Sequence, residues 1–188
     1  MADDIELFPT PAKFRAWLKK HHKDSPGLWL QLAKKGAEFT SITYAEALDE
    51  ALCYGWVDSQ KKSYDTQSWL QRFGPRKARS GWSKINVGHV ERLIKEGRMQ
   101  PSGLETYDAA KKDGRLTRAY DSPKDAKPPA DFLRALNKNA AAKAFYKTLN
   151  RANVYAIVYR LQTAKKPETR ARRMVEIVAK LARGEKFH

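Results

Sequence analysis

Between Trp69 and Asn86 the chain gathers its densest set of residues able to do chemistry: Trp69, Arg72, Pro75, Arg76, Lys77, Arg79, Trp82, Ser83 and Asn86. Planar guanidinium groups beside indole rings bind phosphates and stack on bases or sugars. No acid lies near Arg76–Arg79 in sequence to neutralise them. The bland alternative makes the tryptophans core and the cations a solvated loop. Asp58, after Gly55-Trp56-Val57, is the carboxylate that could serve this segment. In a pocket lined by Trp56, Arg72 and Trp82 it would be an acid, a base or a hydrogen-bond anchor. Otherwise it is a carboxylate paired with Arg72 or Arg76.

A second cationic set lies near the C-terminus, in Pro167-Glu168-Thr169-Arg170-Ala171-Arg172-Arg173. On a helix starting at Pro167, Glu168 meets the positive end of the dipole, and Arg172 stands four residues on for an ion pair. Arg170 and Arg173 share a face. They form either an anion clamp or a docking face for acidic groups on the N-terminal part.

Several kinds of chemistry have no signature here. There is no phosphate-binding glycine loop, nucleophile elbow or HExxH pair. Cys53 stands alone, and the four histidines are His21, His22, His89 and His188, which do not suggest the three or four converging ligands of a zinc site. No metal and no cofactor is expected. Cys53, among Ala51, Leu52 and Tyr54, reads as a buried helix-end thiol. Catalytic residues stay unassigned, and an enzyme of unknown reaction around Asp58, Arg72, Arg76, Trp82 and Asn86 stands beside a noncatalytic binding protein.

Elements must hold these residues in place. Phe14, Trp17 and Leu18 make an amphipathic helix over 11–22, capped by Thr10 with Pro11 at its first position. Leu28–Leu32 reads as a strand. Thr43 and Glu46 have capping-box spacing for a second helix with Tyr44, Ala47, Leu48, Ala51 and Leu52 facing inward, ended by Gly55. Trp56–Phe73 alternates as a hairpin turning at Asp65-Thr66. A helix capped by Ser83 would bury Ile85, Val90, Leu93 and Ile94 up to Gly97, and another would bury Leu104, Tyr107 and Ala110 up to Gly114. Four apolar stripes follow: Phe132, Leu133 and Leu136; Phe145 and Leu149; Tyr155, Val158, Tyr159 and Leu161; and Met174 through Leu181.

These patterns predict an α+β fold, a small antiparallel sheet with packed helices followed by a helical C-terminal part. Residues 1–120 form the first part, 121–129 a proline-rich exposed linker, and 130–188 a basic helical part. A chain of 188 residues, 41% hydrophobic, supports a real core. No apolar run approaches bilayer length, and the acidic start Met1-Ala2-Asp3-Asp4 is unlike a signal peptide, so a cytoplasmic protein without membrane insertion is expected.

Charge sets the partner class. Thirty-seven basic residues face 21 acidic ones, a net +16, and residues 124–188 hold 16 of the former against 5 of the latter. That field attracts an anionic ligand or an acidic protein partner. Nucleic acid is permitted by charge, though no helix-turn-helix, zinc-finger or RNP signature is present.

The run from Tyr44 to Ser59, then Gln71-Arg72-Phe73-Gly74-Pro75-Arg76-Lys77, Trp82-Ser83-Lys84-Ile85-Asn86 and Val90-Glu91-Arg92-Leu93-Ile94, resembles the bacterial YdeI/OmpD-associated protein family. Ala164–Arg173 is similar to that family's other hallmark. One stretch departs: where the family has a Ser- and His-bearing turn and a Trp-containing helix, this chain reads Asn150–Tyr159, so no role of that turn is carried over. The resemblance implies a role in bacteriocin protection or envelope stress and assigns no catalytic set.

Overall fold

The computed structural model describes residues 4–188. Met1, Ala2 and Asp3 of the acidic start lie outside the described residues. Two compact units are present: residues up to Ser80 with Asn86–Arg115, and Gly81–Ile85 with Leu116–His188.

The first unit is built on a four-stranded sheet ordered β1 (Ile5–Glu6), β2 (Leu28–Ala33), β4 (Ser68–Pro75), β3 (Trp56–Ser63). β2–β4 and β3–β4 are antiparallel, whereas β1 pairs with β2 in parallel, so the sheet is mixed. A two-residue edge strand is too short to show an alternation, which is why the sequence hides it. The hairpin turns at Asp65, whose side chain accepts from the backbone N–H of Gln67 and Ser68.

Helix α1 (Pro11–His21) starts at Thr10, whose hydroxyl accepts from Lys13 N–H. Helix α2 (Tyr44–Cys53) has both bonds of the Thr43–Glu46 capping box. Aromatic packing of Phe14 on Phe73 and of Trp17 on Trp56 seals α1 to the sheet. Helices α3 (Lys84–Lys95) and α4 (Pro101–Lys112) follow. They bury Val90 and Leu93, and Tyr107 and Ala110, respectively.

Expected inward positions that face solvent instead are Tyr44, Ile85, Ile94 and Leu104. Tyr44 and Ile85 lie in the first turn of their helices, and Ile94 and Leu104 at the margins of their stripes. Ser83 makes a bridge to Tyr120 within the second unit.

The second unit is helical: α5 (Ala130–Asn137), α6 (Ala140–Tyr146), α7 (Arg151–Gln162) and α8 (Pro167–Ala182). The four stripes converge on one core containing Phe132, Leu136, Ala142, Ile157, Leu161, Ile177 and Leu181, but Leu133, Tyr159 and Val175, expected inward, point outward. The proline-rich stretch is part of this unit. Asp121 accepts from Gln162 Nε2 at 2.5 Å, Ser122 is buried and bonded to Asp125, and Arg151 donates to the carbonyls of Pro123 and Lys124. Composition reads such a segment as a tether because the anchors from α7, Gln162 and Arg151, lie 27 to 41 residues away in sequence.

Candidate functional site

Gly55 is where the site begins. It ends α2 at φ +76°, and a Cβ there would meet the Thr106 hydroxyl at 2.7 Å. α4 can therefore lie directly on the α2–β3 corner. Gly103 makes the approach closer still, since its Cβ would fall 2.2 Å from the Cys53 carbonyl oxygen. Gln100 N–H donates to that carbonyl and Ser102 Oγ donates to Tyr54 O. At the far end of β4, Arg76 N–H returns to Gly55 O at 3.0 Å, so the basic loop folds back over the same corner.

The result is a cleft of about 380 Å³ within the first unit. Trp56 forms part of its wall; the indole is buried and donates to His22 O at 3.0 Å, so its role is to shape the cleft. Arg76, Lys77, Lys23 and Arg115 bring cationic side chains to the lining, and Glu105 is the carboxylate among the lining residues. Arg115 is well fixed. Its Nε donates to both oxygens of Asp113 and its Nη1 reaches Ser80 O at 3.4 Å, clamping the end of the basic loop. With Arg115 held by Asp113, Lys23, Arg76 and Lys77 stand against Glu105 and leave the lining net positive, suited to holding an anion.

Four of the residues singled out by the sequence meet here: Trp56, Pro75, Arg76 and Lys77. The others go elsewhere. Asp58 pairs in register with Phe73, whereas Arg72 pairs with Trp29. Neighbouring positions on a strand face opposite sides, so Asp58 and Arg72 occupy opposite faces of the sheet and share no pocket. The carboxylate of Asp58 accepts from Tyr44 Oη at 2.8 Å, in place of the arginine partners expected for it. Partial burial of its ring, with Asp58 adding its charge, pushes the Tyr44 hydroxyl far above its ordinary range, so it stays a donor. Asn86 lies in the first turn of α3, and Trp82 belongs to the second unit, where its carbonyl accepts from Tyr120 N–H.

The C-terminal pair divides. Arg170 forms a two-pronged ion pair with Asp131 on α5, so it docks inside its own unit and not on the N-terminal part. Arg172 reaches forward to Glu176 at 3.7 Å. Arg173 donates to Arg160 O at 2.7 Å and lines a separate cleft.

His22, Lys23, Thr106 and Arg115 were not legible as site residues. They reach the cleft from the end of α1, from α4 and from beyond Gly114, and no local spacing links those places. Buried Cys53 is the core thiol expected, pushed up to about 11 chiefly by burial and next by Glu50. Among the described residues no three His, Cys, Asp or Glu side chains are grouped to hold a metal ion, and no helix is long and apolar enough to cross a membrane.

Residues 6–106, which hold the whole lining of the cleft except Ala109 and Arg115, match the model of a family described as Domain of unknown function (DUF8412). Residues 125–184 match the model of the family Bacteriocin-protection, YdeI or OmpD-Associated. No curated protein and no solved structure matches the chain. With one match spanning more than half of its length, the chain belongs to the DUF8412 family and carries a C-terminal region of the YdeI/OmpD-associated family.

Proposed function

We propose that this chain is a noncatalytic, cytoplasmic binding protein that holds a small anionic ligand in the first-unit cleft, in a stress role or a bacteriocin-protection role, the latter being what the C-terminal family's name describes. The observation that carries this reading is the convergence of Lys23, Arg76 and Lys77 on one recess whose lining holds one acid, Glu105, while Arg115 is balanced by Asp113. An enzymatic reading has less behind it. Asp58, the carboxylate it needed, is tied to Tyr44 and is not among the residues of that cleft.

The test is calorimetric titration of the full chain with inorganic phosphate and pyrophosphate. Lys77 is exposed, so Lys77→Gln leaves the fold intact. A charge-assisted contact contributes about 1.5–3 kcal/mol, so the variant should bind roughly tenfold more weakly or worse. Glu105→Gln should bind more tightly. Equal affinity in all three proteins would refute the assignment.

A further inference from the structure

The second unit has a cleft of its own, about 390 Å³, between the end of α7, the Arg173–Lys180 stretch of α8 and Phe187. That is toward the small end of the volumes of small-molecule sites, which run from about 300 to 1,000 Å³. Buried Ile177 is its floor, and Tyr159 and Phe187 are aromatic walls. Arg160, Arg173 and Lys180 bring three positive charges, and Glu176 is the acid on the lining. Glu176 is well exposed and lies 3.7 Å from Arg172, which draws its charge outward.

Two features of this cleft are prearranged. Arg173 Nη1 donates to Arg160 O at 2.7 Å and to Thr163 Oγ1 at 3.4 Å, which uses a helix-terminal carbonyl to fix the guanidinium. Its Nε–H and Nη2 donors make no hydrogen bond among the described residues, so a planar two-donor edge remains. The Phe187 wall is equally fixed. Buried Asn153 accepts from the backbone N–H of both Phe187 and His188, at 2.8 and 3.1 Å. The ring sits under the Arg160 guanidinium at 4.9 Å and the Lys180 ammonium at 5.0 Å.

A fixed guanidinium edge matches a carboxylate in two-pronged geometry. Aromatic walls over an apolar floor match a flat ring. We infer that this cleft is a binding site for a small aromatic carboxylate, its carboxylate on Arg173 and its ring against Tyr159 and Phe187, with Arg160 and Lys180 completing the positive field. An inorganic anion would satisfy the arginine and leave the walls unused. This site is separate from the first-unit cleft and stands whether or not that one binds phosphate.

The probe is 1-naphthoate, titrated calorimetrically into the full chain, with inorganic phosphate and naphthalene methanol as comparators. One site per chain is expected for naphthoate, at least about tenfold tighter than for naphthalene methanol, and saturating phosphate, which the first-unit cleft takes, should not displace it. Lys180→Gln and Phe187→Ala should each weaken it several-fold or more. Glu176→Gln should tighten it, an effect that a merely structural role would not produce. Lys77→Gln, in the other cleft, should leave it unchanged. Three results would overturn the site: no saturable binding up to about 10 mM, affinity indifferent to Lys180→Gln, or phosphate competing on equal terms.

Discussion

Glu50 is the acid that the described residues hide most completely, at 1% exposure. Arg15 binds both of its oxygens, at 2.7 and 2.6 Å, and Arg98 binds one of them at 2.9 Å. A buried carboxylate is tolerable only while such partners remain, and stripping them leaves an uncompensated charge costing about 3–5 kcal/mol. Either arginine alone still pairs the Glu50 charge, Arg15 through both oxygens and Arg98 through one. Arg15→Ala and Arg98→Ala should therefore each cost on the order of 1 kcal/mol, while the double variant should approach the full figure. Urea denaturation of the four proteins in the cycle measures this, and strictly additive losses would show that Glu50 is not the shared element. The same chemistry explains why Asp58 was an attractive but misleading candidate. A carboxylate at the end of a strand invites a catalytic reading, yet what it meets is the Tyr44 hydroxyl, from a residue that the helical pattern had assigned to the core.

At the scale of elements, glycine placement decides how close helices come. Gly103 permits backbone contact between α4 and the end of α2, and an added Cβ would overlap the Cys53 carbonyl. Gly103→Ala should lower stability by about 3 kcal/mol, as overpacking does, and should weaken phosphate binding by moving α4 away from the cleft. Gly88, on the exposed side of α3, has open space around its Cβ position. Gly88→Ala should instead raise stability by up to about 1 kcal/mol through helix propensity. Thermal melts of the two variants moving in the same direction would contradict this account. Helix starts and stops were legible because they depend on local chemistry: Thr10, the Thr43–Glu46 box, and left-handed Gly55, Gly97, Gly114 and Gly184. The strand pair β3–β4 was legible for the same reason. The parallel edge β1, the fold-back of Arg76 on Gly55, and the meeting of Lys23 with Lys77 were not, because each joins segments whose proximity no local pattern encodes.

Across the whole molecule, charge determines the response to acid, and here the carboxylates of both units act in the same sense. Burial alone would raise the Asp49 carboxyl, but hydrogen bonds from Arg92 and His89 outweigh it and hold the group below its ordinary value. Asp121 is lowered by Lys84 and then Gln162, and Asp131 by Arg170. A carboxyl whose folded-state value lies below its unfolded one stabilises the fold above the unfolded value, about pH 4. That contribution is lost as pH falls through the folded value. Protonating acids also drives a chain already at +16 further from neutrality, which adds self-repulsion. The melting temperature should accordingly stay level through mildly acidic pH and fall steeply below about pH 4. Asp49→Asn should flatten that fall for the first unit and Asp131→Asn for the second, each also lowering stability near neutral pH. Scanning calorimetry of the three proteins from about pH 2 to 7 tests this. A wild-type melting temperature that rises on acidification would mean that these ion pairs contribute nothing to the fold, and that the excess of basic residues is balanced by some means other than the carboxylates named here.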